Sequence, residues 1–131
     1  MPLLPDELEN DTPTQQPPLT DATDVLALLR DKWRAPTLLL LSKSSGPLRY
    51  ADIDRALDGI SHTMLTRTLR HLETMGLVKR ESFAEVPVRV EYSLTPLGRS
   101  LSQPLLGLEK WAKTHSHDVW QMGQSLEASR S

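Results

Sequence analysis

The side chains with the most chemical content lie between Gly59 and Arg80. Thr63, Thr66, Arg67, Arg70 and Thr74 recur at i, i+3, i+4, i+7 and i+11, with His71 beside them. On a helix this spacing gathers hydroxyls and guanidiniums into one stripe. No carboxylate falls on that stripe, and Glu73 lies off to one side. Arg67, Arg70, Lys79 and Arg80 against that single acid leave a local excess of three positive charges. The plain alternative is a solvated helix face, but such faces usually mix Glu with Lys. Hydroxyls and guanidiniums without carboxylates are the groups that bond phosphate oxygens and base edges.

Other chemistry is thin. The chain has no cysteine, which removes disulfides, thiolate zinc sites and cysteine nucleophiles together and fits a reducing, cytoplasmic setting. His115-Ser116-His117-Asp118 offers metal-compatible ligand types at loose spacing, so a polar helix end is the favoured account and no metal is expected. There is no phosphate-binding GxxxxGK[ST], no GxGxxG, no HExxH and no nucleophile elbow. Neither an enzyme nor a cofactor is expected.

These side chains need a scaffold, and the 131 residues divide unevenly to provide it. Residues 1–20 hold five of the ten prolines and four acids (Asp6, Glu7, Glu9 and Asp11), with no Lys or Arg. Such a stretch buries too little apolar surface to offset the entropy of ordering it, so it is expected to be a disordered acidic arm. The formal charge of −2 therefore averages two unlike parts, because the remainder carries fifteen basic against thirteen acidic side chains. Residues 21–118 are expected to form the domain and 119–131 a C-terminal tail. The longest strictly apolar run, Leu38 to Leu41, is far short of the roughly 20 residues of a membrane helix.

Within the domain, Thr20 or Asp21 can cap a first helix with Val25, Leu26, Leu28 and Leu29 apolar, ending near Trp33. Pro36 suits the first turn of a second helix whose Leu38 to Leu41 run is expected to be buried. After a turn at Lys43 to Pro47, Leu48-Arg49 allows a very short strand. A third helix, Tyr50 to Leu57, then has Ala51, Ile53, Ala56 and Leu57 as its apolar side. Ser61 as N-cap and Gly76 after the last turn bound a fourth helix, His62 to Met75, with Leu65, Leu69 and Leu72 on its buried face. Leu77 to Phe83 and Val88 to Leu94 read as a β-hairpin, with Val88, Val90, Tyr92 and Leu94 on its core face. Thr95 and Pro96 open a last helix, which Pro104 should kink. The fold class is mainly α with a small β-hairpin wing, a winged helix-turn-helix.

The same residues carry a family resemblance. Asp31-Lys32-Trp33, the run Gly59 to Arg70, Glu73 to Val78, and Glu85-Val86-Pro87-Val88-Arg89-Val90-Glu91-Tyr92-Ser93-Leu94-Thr95-Pro96-Leu97-Gly98 resemble the HxlR family of bacterial winged-helix transcriptional regulators. The resemblance covers roughly residues 20–115. It implies a homodimer on operator DNA, acting as repressor or activator. Many members sense oxidants or electrophiles with a cysteine at a place that falls near Thr20; without any cysteine that chemistry is excluded here. The family often has two glycines before the Lys-Trp pair, where this chain has Arg30 and Asp31.

The expected roles follow from position. His62, Thr63, Thr66 and Arg67 face base edges in the major groove, and the N–H groups around Ser61 and His62 meet a phosphate. Arg70, Lys79, Arg80 and Arg49 are expected on phosphates, and Arg89 on the backbone or in a minor groove. The apolar stripes of the terminal helices, Val25, Leu26, Leu29 and Trp33 with Leu101, Leu105, Leu108 and Trp111, are expected to form a dimer interface. An inverted-repeat operator would match that dimer, with room for a small-molecule effector. The rival reading is a winged-helix adaptor that binds protein and no DNA, but an adaptor would usually present acids or apolar groups on this face.

Overall fold

The computed structural model describes residues 22–130, in which five helices and three short strands follow one another. The acidic arm and the cap candidates Thr20 and Asp21 lie outside the described residues. Helix α1 spans Ala22–Arg30, α2 Arg34–Lys43, β1 Leu48–Arg49, α3 Tyr50–Ala56 and α4 His62–Thr74. Strands β2 (Val78–Phe83) and β3 (Arg89–Leu94) follow, and α5 runs Pro96–Arg130. This is the expected winged helix-turn-helix.

The first helix stops three residues short of Trp33. The Asp31 carboxylate forms the corner there: its Oδ1 accepts the N–H groups of Trp33 (2.8 Å) and Arg34 (2.9 Å), and its Oδ2 meets Arg34 Nε at 3.3 Å. Partial burial raises the Asp31 pKa, but those two N–H bonds and the guanidinium outweigh it and hold the carboxyl below its ordinary value. A side chain thus caps the turn between the two helices.

The core gathers Leu28 of α1, Leu38 and Leu41 of α2, Ile53 of α3, and Leu65, Leu69 and Leu72 of α4. Leu57, Ile60, Leu77, Val78, Tyr92 and Leu94 complete it. Two expectations need correction. Leu39 and Leu40 are only half-buried, because a single helix turns two of four consecutive leucines away from the core. Ala51 and Ala56 are exposed, leaving Ile53 and Leu57 as the packing side of the third helix.

The hairpin acquires a third strand. β1 pairs antiparallel with β3 (Leu48 opposite Tyr92, Arg49 opposite Glu91), so the sheet order is β1-β3-β2. Val88 falls outside β3 and is exposed, correcting its place on the core face. The last helix is rooted tightly. Thr95 Oγ1 donates to the Gly76 carbonyl (2.6 Å) and accepts from Gly98 N–H (3.0 Å), while Thr95 N–H donates to the Leu77 carbonyl (3.1 Å). Gly98 lies so close to the Leu77 backbone that a Cβ would collide with that carbonyl oxygen.

Farther along, Lys43 of α2 ties α5 through Glu109 (2.7 Å). That bond outweighs the effect of burial and, with Lys113, holds the Glu109 carboxyl below its ordinary value. Helix α5 remains one element across Pro104 and continues without a break through residues 119–130, which were expected to belong to a tail. Among the described residues no helix is long and apolar enough to cross a membrane, and no group of three or more His, Asp or Glu could hold a metal ion. His115 stacks on Trp111 (4.7 Å between rings) and its Nδ1 lies 3.0 Å from the Trp111 carbonyl oxygen.

Candidate nucleic-acid interface

Helix α4 is set by its ends. Ser61 Oγ accepts the Met64 N–H (3.1 Å), the N-cap bond expected of a serine there. Gly76 takes φ +76°, a left-handed conformation that ends the helix and that residues with a Cβ rarely adopt. With Leu65, Thr68, Leu69 and Leu72 buried, the opposite side of the helix is fixed outward. His62, Thr63, Thr66, Arg67, Arg70 and His71 there line one open groove of about 560 Å³. Thr74 is exposed beyond it.

A second groove adjoins the first through Thr66 and Arg70 and adds Tyr50, Leu69, Glu73, Arg80 and Tyr92. A third brings Arg49 and Tyr50 alongside the wing residues 85–90. The surface is therefore continuous from α4 to the wing. Among the described residues, Arg49, Arg67, Arg70 and Arg80 make no salt bridge.

The other predicted residues are placed differently. Lys79 does not line these grooves; it pairs with Glu81 (3.1 Å), on the face of β2 opposite Arg80, since neighbouring strand residues alternate. Arg89 is partly buried on the wing, with Nε 2.8 Å from Glu85, Nη1 3.6 Å from Glu91, and its guanidinium 4.2 Å from the Phe83 ring centre. The wing tip beside it is apolar, with Val86 and Val88 both exposed.

Three neighbours of the face were not legible beforehand. Arg34 Nη2 of α2 lies 2.8 Å from His71 Nδ1. Partial burial, then the charges of Arg34 and Arg67, hold His71 below the usual imidazole range, with Asp31 pulling weakly the other way. Asp54 Oδ2 lies 3.2 Å from His62 Nε2. The Tyr50 hydroxyl donates to the His62 carbonyl (3.1 Å) and lies 3.2 Å from Thr66 Oγ1, its ring edge-on to His62.

The apolar stripes of the terminal helices divide between core and surface. Trp33, Leu101 and Leu105 pack against the monomer's own core, and Val25 is half-buried. Leu26, Leu29, Leu108 and Trp111 are exposed, as are Val119, Trp120, Met122 and Leu126 farther along α5.

Comparison with known proteins agrees with this geometry. The family model described as HxlR-like helix-turn-helix matches residues 28–119, from the end of α1 through the wing and into α5. An HTH-type transcriptional regulator of Methanothermobacter thermautotrophicus is 45% identical over 84 residues, 64% of this chain and 63% of that protein's length. The solved structure of YtfH from Salmonella typhimurium is 33% identical with a TM-score of 0.69, covering 79% of this chain and 90% of that one. The redox regulator HypR in its reduced form is 32% identical with a TM-score of 0.70, over 79% and 99% of the two chains. The groove along α4, a three-stranded sheet bearing the wing and a family match across most of the domain converge: this chain belongs to the HxlR-like helix-turn-helix family.

Proposed function

We propose that the protein is a transcriptional regulator, not an enzyme, that binds operator DNA sequence-specifically as a homodimer in the cytoplasm. The carrying observation is the outward face of α4, where Arg67 and Arg70 stand beside His62, Thr63 and Thr66 in one groove. In this reading α4 enters the major groove, its first two turns face base edges, and Arg67 makes the bidentate contact to guanine. Arg49, Arg70 and Arg80 meet phosphates along the continuous surface, with the N–H groups at Ser61 and His62 beside them, while Lys79 on the opposite face of β2 adds charge from farther off. Arg89 braces the wing at the backbone or minor groove.

The dimer forms through the exposed faces of α1 and α5, with Leu26, Leu29, Leu108 and Trp111 at its centre and Val25, Trp33, Leu101 and Leu105 behind them. The two α4 helices then meet inverted half-sites about one helical turn apart, roughly 34–36 Å. Names of relatives support the regulatory class. The salt dependence of binding to duplex DNA tests it: with about 6–10 phosphate contacts, affinity falls by about a thousandfold or more between 50 and 200 mM salt. Absence of DNA binding at low salt overturns the proposal and leaves the adaptor reading.

A further inference from the structure

Beyond Glu109, which Lys43 ties to α2, helix α5 runs on to Arg130. Leu108, Ala112, His115, Val119, Met122 and Leu126 follow one another along it at alternating steps of four and three. The steps continue those of Leu101 and Leu105, which pack on the monomer's own core. Leu108, Val119, Met122 and Leu126 are instead 48–64% exposed. Alternating four and three is a repeat of seven, against which a straight α-helix drifts by about 20° per repeat. A second helix wound around the first keeps such a stripe covered along its whole length.

Length and area identify that second helix. The stripe from Leu108 to Leu126 spans about 27 Å at 1.5 Å per residue. Among the described residues the next longest helix, α4, has 13 residues and its apolar side is already buried; α1 has nine. The match in length and repeat is α5 of a second copy. About half-exposed side chains of this size leave on the order of 100 Å² each. Leu108, Trp111, Val119, Met122 and Leu126, with Leu26 and Leu29 of α1, therefore offer roughly 700 Å² per protomer, close to the share of about 800 Å² in a stable complex. Without such cover, a projecting helix with Gly123 inside it is marginal in water.

Resting on the reading of the protein as a homodimer, we infer that α5 forms a coiled coil with α5 of the second copy from Leu108 to Leu126, with His115 in its seam. The family match ends at residue 119, so the last turns of the seam lie past the matched domain. His115 is the one polar side chain of the stripe. Its ring stacks on Trp111, and because a carbonyl only accepts, its Nδ1 donates to the Trp111 carbonyl oxygen at 3.0 Å. Nε2 is left for the seam. A single polar group in a coiled-coil core costs stability but fixes which residues face one another. His115 thereby marks the register of the pair.

Sedimentation equilibrium of the full-length chain tests the seam. Val119→Asp with Met122→Asp should raise the dimer dissociation constant at least about tenfold. Gln121→Asp with Gln124→Asp, on the opposite side of the same turns, should leave it within about twofold. His115→Leu should tighten the dimer about tenfold. A chain without cysteine also lets single thiols report contact. Under mild oxidation Val119→Cys, Met122→Cys and Leu126→Cys, alone or mixed in pairs, should give covalent dimers, and Gln121→Cys and Gln124→Cys should not. Joining of like thiols supports parallel helices in the seam, and joining of unlike thiols supports antiparallel ones. The inference is overturned if the dissociation constant ignores Val119→Asp with Met122→Asp, or if thiols at 121 and 124 join as readily as those at 119, 122 and 126. It is overturned for His115 if His115→Leu weakens the dimer. A dimer broken by Leu108→Asp with Trp111→Asp but indifferent to the distal pair sinks the seam alone. A wild type that stays monomeric at micromolar concentration sinks the homodimer reading itself.

Discussion

Among the described residues Arg67 and Arg80 make no salt bridge, and they are expected to fail differently when removed. Arg67→Ala should lose about 1–3 kcal/mol concentrated at one base pair, measured across single-base variants of a selected site. Arg80→Ala should weaken all sequences alike and lower the salt slope by about one, with Lys79→Ala changing it less because Glu81 holds that ammonium. His71 gives a pH test with a definite sign. Its folded pKa lies below 6.5, so as pH falls the unfolded chain takes up the proton first. The stability linked to neutral His71 is complete above about 6.5 and is lost as pH drops through the folded value. Denaturant melts of His71→Gln should show a flatter profile over that range than the wild type. The stripe of Thr and Arg was legible because helical spacing is local. Tyr50, Arg34 and Asp54 were not, because they reach α4 from 8 to 37 positions away and a single sequence does not encode which distant polar groups meet. For the same reason Lys79 and Arg80 read alike as neighbours until the strand's alternation separated them.

Helix boundaries were the most legible elements, since Ser61, Gly76, Thr95 and Pro96 act through their immediate neighbours. Ser61→Ala should lower stability by about 1 kcal/mol by leaving the Met64 N–H without its cap. Gly98→Ala should cost about 3 kcal/mol, as overpacking against rigid backbone does. Thermal or denaturant unfolding measures both, and Gly107→Ala, where a Cβ meets nothing within 4 Å, is the control that should cost nothing. The pairing of β1 with β3 escaped the sequence because two residues carry no period and their partner lies over forty positions on. The length of α5 escaped it for another reason. Val119, Met122 and Leu126 continue the three-and-four spacing of Leu101, Leu105 and Leu108. The polar His115 to Asp118 run nevertheless looked like an end, and a stripe without a visible partner is weak ground for extending a helix.

At the scale of the molecule, the core closes around α1 to α4 and the sheet, while the far half of α5 packs against none of it. Leu108→Asp with Trp111→Asp should convert the proposed dimer to monomer in sedimentation at micromolar concentration. Binding to a single half-site should then survive with low affinity, because the fold does not depend on side chains already exposed. At about 1.5 Å per residue, the 35 residues of α5 make a rod of about 52 Å. Its base is seated against Leu77 at the foot of the wing, so close that no side chain fits at Gly98. In the dimer proposed here, the rod that joins the two protomers is the same rod that holds each wing, one helix from Pro96 to Arg130. Such a dimer should act as a gauge, tolerating a mismatched base more readily than a changed gap between half-sites. One base pair added between half-sites moves them by about 3.4 Å and turns them about a tenth of a revolution, a misfit that one continuous helix from wing to interface should pass straight to the binding affinity.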